Sequence, residues 1–156
     1  MLSTPSTSSL RLALLALVVA MTGCVAAPAV QAQPTPGAEA KTIVVHIGQY
    51  TNDLHSATMG LSLAGMLQRG GASVTVFLDR EGVRMADRTE PLLTYGDSDA
   101  EALVTAFLSG GGRVMVCPHC AALSGVAPEA LRDGFEMGTM DSIAALFLAA
   151  DTVIDY

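Results

Sequence analysis

The sequence of 156 residues has one lysine, no basic run and no internal repeat. The missing basic run argues against nucleic acid as a partner, because phosphate binding needs clustered Lys and Arg to displace counterions. No apolar stretch reaches the roughly 20 residues that cross a bilayer; the longest, residues 12–21, stops far short. Cysteine and histidine number three each. A closed zinc site wants four ligands, and only Cys117, His119 and Cys120 are clustered, with no second Cys/His pair nearby.

What is present begins with an address. Residues 1–11 are short, Ser/Thr-rich and carry a single positive side chain, and the apolar run 12–21 contains no acidic residue. That is the pattern of a secretory signal. Met21-Thr22-Gly23-Cys24 follows directly and resembles a bacterial lipobox, so residues 1–23 are expected to be removed and Cys24 lipidated. Cleavage after Val30-Gln31-Ala32 is the competing site. Residues 24–40 are rich in Ala, Pro and Gln, too poor in large apolar side chains to offset their ordering entropy, and read as a tether. The expected location is the periplasmic side of a bacterial membrane, reached through a lipid anchor. The whole chain has a net charge of −7; losing Arg11 leaves seven basic against fifteen acidic residues, or −8. Such acidity keeps a domain soluble beside an anionic surface.

Residues 41–156 then form one α/β domain. The β-branched run Thr42–Ile47 has no polar alternation and predicts a strand buried on both faces. Thr51-Asn52-Asp53 offers N-cap chemistry, apolar residues recur at helical spacing over 54–69, and Gly70-Gly71 stops the helix. Residues 73–78 predict a second strand, giving a βαβ unit and hence a parallel pair with a right-handed crossover. Residues 79–97 lack a period and read as a flap, with room for a short helix near 81–85. A third amphipathic segment over 99–109, a short buried strand over 113–116, helices over 128–132 and 141–148, and a last strand over 152–155 complete the alternation. The expected fold is a three-layer α/β/α arrangement around a mostly parallel sheet of about five strands, Rossmann-like in character. Such sheets place ligands at the carboxyl ends of their strands.

The first helix is apolar on two faces. Leu54, Ala57, Leu61 and Ala64 form one stripe, and Met59, Leu63 and Met66 a second. One stripe covers the sheet; the other implies a second subunit, or else coverage by the flap.

The chemistry concentrates at Cys117-Pro118-His119-Cys120, where a buried strand ends and a helix is expected to start. The N–H groups behind Pro118 favour thiolate, which is the nucleophile, and His119 adds to this if cationic and close. Cys120, three residues on, is placed to resolve a species formed on Cys117. A disulfide closing so short a loop contributes only about 2 kcal/mol before strain, which makes it a poor staple. The alternative is a soft copper or zinc site on Cys117, His119 and Cys120, completed by His46 or His55.

The tetrapeptide by itself resembles the active site of thioredoxin-fold thiol oxidases, but no antiparallel hairpin with an X-Pro turn follows it. Taken with Val45-His46, Thr51 through Met59, Val74 through Leu78, Gly82-Val83 and the ending Ile154-Asp155-Tyr156, the domain resembles the DsrE/DsrF-like family over essentially all of 41–156. That resemblance implies a parallel α/β subunit assembling into trimers or hexamers. It also implies a strand-end cysteine that carries persulfide sulfur in the sulfur-relay members. Cys117 matches that position and Cys120 the second cysteine of one branch. The expected partners are therefore a sulfur donor and acceptor, or a thiol partner, with no cofactor; a sulfurtransferase-like carrier is one form this takes, and a non-catalytic oligomeric scaffold is another. Many members lack a signal segment, so export sets this chain apart.

Overall fold

The computed structural model describes residues 40–156. The expected signal segment, Cys24 and the tether as far as residue 39 lie outside them. Among the described residues no helix is long and apolar enough to cross a membrane.

Strand β1 (Thr42–Ile47) forms from the β-branched run and is buried at Ile43, Val44, Val45 and Ile47. Helix α1 (Leu54–Arg69) starts where the Asp53 side chain accepts from the Ser56 N–H at 3.0 Å, and it ends at Gly70. The chain then turns through Gly71 at φ 94°, a conformation costly for any residue with a Cβ. Strand β2 (Ser73–Leu78) pairs parallel with β1, register Thr42 to Ser73.

A seven-residue 3₁₀ turn, Arg80–Ala86, follows β2. A two-residue hairpin, β3 (Thr94–Tyr95) and β4 (Ser98–Asp99), comes next, and then helix α2 (Ala100–Ser109). The short helix allowed for near 81–85 is thus present as this 3₁₀ turn, and the segment 79–97 is tied into the domain more closely than a flap. Gly82, Val83, Met85 and Ala86 are buried in the main core. The guanidinium of Arg132 ties the segment down by donating to the carbonyls of Met85, Asp87 and Glu90 at 3.2, 2.8 and 2.7 Å. A 3₁₀ turn has a three-residue period that helical spacing rules do not detect.

Strand β5 (Arg113–Val116) leads into the six-residue helix α3 (Pro118–Leu123). A short 3₁₀ turn, Pro128–Ala130, stands where a helix over 128–132 was expected, and β6 (Phe135–Met137) was not foreseen at all. Three residues with Glu136 in the middle are too few to show a strand pattern. Helix α4 (Met140–Ala149) opens with a capping box between Thr139 and Ser142, and β7 (Thr152–Asp155) closes the sheet.

The sheet order is β6-β5-β2-β1-β7, and all four pairings are parallel. Alternation along the strands divides the core. Ile43, Val45, Ile47, Val74, Val76, Leu78, Val114 and Val116 pack with α1 and α2 on one face, while Val44, Phe77 and Met115 meet Ile143, Leu146 and Phe147 of α4 on the other. This is the expected three-layer α/β/α fold. Because every strand runs the same way, the carboxyl ends of β1, β2, β5 and β7 share one edge.

Candidate functional site

Cys117 stands immediately after β5, and its N–H donates to the Leu78 carbonyl at 2.8 Å, extending the β5–β2 ladder by one step. It is the residue before the first turn of α3, but its side chain makes no cap bond, so the sulfur is not spent on closing the helix. Pro118 opens the helix, a position where the missing N–H costs nothing. At six residues α3 is too short for a long aligned dipole; what it offers is the local N–H groups of its first turn. The ladder bond places Cys117 beside the Leu78-Asp79-Arg80 corner, and α3 packs on the 3₁₀ turn that begins there.

Cys117 and Cys120 are both free thiols and both partly buried, Cys117 just ahead of α3 and Cys120 in its first turn. Burial pushes the Cys120 thiol above its ordinary range. The Arg80 N–H, donating to the sulfur, opposes this, while Cys117 and the Asp79 carboxylate add to it. Cys120 is therefore held as thiol. His119 is exposed at the start of α3.

His46, near the end of β1, is engaged on both sides. Its Nε2 lies 2.7 Å from Asp79 Oδ1 and its Nδ1 2.5 Å from Asp155 Oδ1. Both contacts are hydrogen bonds only if both nitrogens carry hydrogen. Arg80 Nε donates to Asp79 Oδ1 at 3.1 Å, and its guanidinium reaches within 3.9 Å of Asp155. His55, the other histidine considered as a ligand, stacks on Tyr95 with centroids 5.0 Å apart. Among the described residues, no three His, Cys, Asp or Glu side chains are gathered closely enough to hold a metal ion.

The structure thus brings Cys117, Cys120 and, through Asp79, His46 to one edge of the sheet. Asp79, Arg80 and Asp155 are the residues that motif reading missed. One signal was available: Asp79 and Asp155 stand at the carboxyl ends of strands, where this class of sheet does its binding. An apolar cavity of about 360 Å³ lies beside α3, lined by Pro118, Ala122, Val126, Pro128 and Met137 among others; neither cysteine lines it.

A sequence model of the DsrE/DsrF-like family matches residues 39–156. Among solved structures, the ychN protein from E. coli is 23% identical and superposes with a TM-score of 0.63, covering 76% of this chain and 100% of its own. The protein MTH1491 from Methanobacterium thermoautotrophicum, described as of unknown function, is 18% identical with a TM-score of 0.59, covering 74% of this chain and 99% of its own. At these identities the likeness shows a shared fold. No curated protein sequence matches the chain significantly.

Proposed function

The chain belongs to the DsrE/DsrF-like family, and from that premise we propose that Cys117 accepts and donates sulfane sulfur, or exchanges disulfides, with Cys120 as the resolving thiol. The observation that carries this is the pair of free thiols, Cys117 at a strand end and Cys120 in the first turn of the helix that follows. In the loading step the Cys117 thiolate attacks a sulfane sulfur of a polysulfide, an S–S bond of the donor breaks, and the shortened polysulfide leaves with the electron pair. An acceptor thiolate then takes the outer sulfur and Cys117 departs as thiolate. Without an acceptor, Cys120 attacks the Cys117 sulfur and its thiol proton passes to the departing outer sulfur, which leaves as hydrosulfide while a disulfide closes; an external dithiol supplies the two electrons that reopen it. Intact mass after polysulfide treatment tests the proposal. A gain of one sulfur that maps to Cys117 is expected, and an unmodified Cys117 sinks it.

Two companion proposals concern where the protein sits and with what. The leader and Cys24 support export to the periplasmic side with a lipid anchor. Cys24→Ser should then move the protein from the membrane to the soluble fraction; a variant that still sediments with membrane, or a wild-type mature N-terminus at Gln33, would refute anchoring.

The apolar stripe on α1 supports a homo-oligomer, trimer or hexamer by family resemblance. Met59 and Met66 are exposed, so the segment 79–97 does not cover them. Helix α4 adds to this, since it has no fully buried residue and Leu148 is 88% exposed. Light scattering should report an oligomer at micromolar concentration, and Leu63→Asp or Leu148→Asp should dissociate it. A wild-type monomer would end the idea.

A further inference from the structure

Arg80 is the one non-glycine among the described residues with positive φ, at 46°. A residue with a Cβ takes the left-handed conformation at a cost, and the strain persists only where the surroundings over-determine it. Those surroundings are specific. The Arg80 guanidinium is held by Asp79 at 3.1 Å and approaches Asp155 at 3.9 Å, and it lies over Gly48, where a Cβ would overlap it. Both carboxylates are in turn bridged by the His46 ring, at 2.7 and 2.5 Å. Next to this strained corner is the resolving thiol: α3, which carries Cys120, packs on the 3₁₀ turn that Arg80 opens.

We propose that His46 is a positioning residue: by bridging Asp79 and Asp155 it holds Arg80 in the left-handed conformation, and that corner is the rest against which Cys120 sits. This deepens the thiol reading of Cys117 and Cys120 and rests on it. The consequence is selectivity within the pair. Cys120 stays covered until a species forms on Cys117, and the corner keeps the two sulfurs within reach of each other.

The test is alkylation of the reduced full-length protein with iodoacetamide, labelling at each cysteine being read by peptide mass. In wild type Cys117 should label faster than Cys120. His46→Ala should raise the Cys120 to Cys117 labelling ratio roughly five- to tenfold, as strain released at Arg80 uncovers Cys120. His46→Gln, which can still donate to Asp79, should lie close to wild type. The decisive variant is His46→Ala with Arg80→Gly. Glycine takes the left-handed conformation without strain, so the ratio should return toward wild type although all four contacts of His46 and Arg80 with Asp79 and Asp155 have been lost. A purely electrostatic or general loosening effect would make the double variant worse than the single one, and that result overturns the proposal. So does an unchanged ratio in His46→Ala. Asp155→Asn, at a side chain 72% exposed, is the milder perturbation should His46→Ala not fold; it should move the ratio in the same direction by less, and no movement overturns the proposal equally. The reaction needs no sulfur donor, so failure of polysulfide to load Cys117 and failure of His46 to govern Cys120 are separate results.

Discussion

Cys117→Ser is expected to abolish sulfur uptake from polysulfide, while Cys120→Ser is expected to take up one sulfur and keep it longer than wild type. The asymmetry follows from the site. Cys117 is left free by the helix cap beside the β2 corner, whereas burial and the neighbouring Asp79 carboxylate hold Cys120 as thiol. A group kept protonated is a poor first nucleophile but becomes effective once the electrophilic sulfur is fixed next to it. Without Cys120 the Cys117 persulfide has no intramolecular exit, so its decay waits on an external thiol. Time-resolved intact mass after polysulfide removal reads both variants. Equal uptake by the two would remove the division of roles. The soft-metal alternative has another signature: either substitution would cost binding about equally, and added copper(I) or zinc would shield both thiols from alkylation together. Slow, equal labelling of both cysteines in reduced folded protein without metal would leave the domain a binding or scaffold module.

Gly82→Ala is expected to cost about 2–3 kcal/mol of stability, which lowers Tm by roughly 10 °C for a domain of this size. The reason is backbone against backbone. A Cβ on Gly82 would overlap the carbonyl oxygen of Ile47 and press on its carbonyl carbon, and neither end of that contact is a flexible side chain that could swing away. Relief requires moving the Arg80–Ala86 turn off the end of β1, which also disturbs the corner facing Cys120. The control is Gly96→Ala in the hairpin tip, where nothing lies within 4 Å and only the φ of 56° is unfavourable; its expected cost is about 1 kcal/mol. Thermal and urea unfolding of both variants provide the measurement. If Gly82→Ala unfolds like wild type, the close approach is not a constraint on the fold.

Much of the layout can be read along the chain, and the parts that cannot share a cause. Strands β1, β2, β5 and β7 and helix α1 have the bounds their patterns imply, because β-branched runs, helical spacing and Asp53 and Gly70-Gly71 punctuation are written in consecutive residues. β6 escaped because three residues carry too little pattern, and its existence depends on β5 offering Val114 and Val116 as partners for Phe135 and Met137. The segment 79–97, where only the short helix near 81–85 could be anticipated, was read as a flap for a related reason. Its order comes from Arg132, more than forty positions away, bonding to its carbonyls.

The site divides in the same way. Cys117, His119 and Cys120 are legible at once, since a strand end, a proline and a cysteine spacing of three are local facts. A parallel α/β domain and the place of its thiol pair can be read from consecutive residues. The surroundings of that pair come from the folded chain alone. His46 and Asp155 are 109 positions apart, and Asp79 joins them only because three parallel strands end on one edge. Periodicity and capping report on neighbours within a turn or a strand; convergence at the carboxyl edge of a sheet is a property of strand order, which no local window contains.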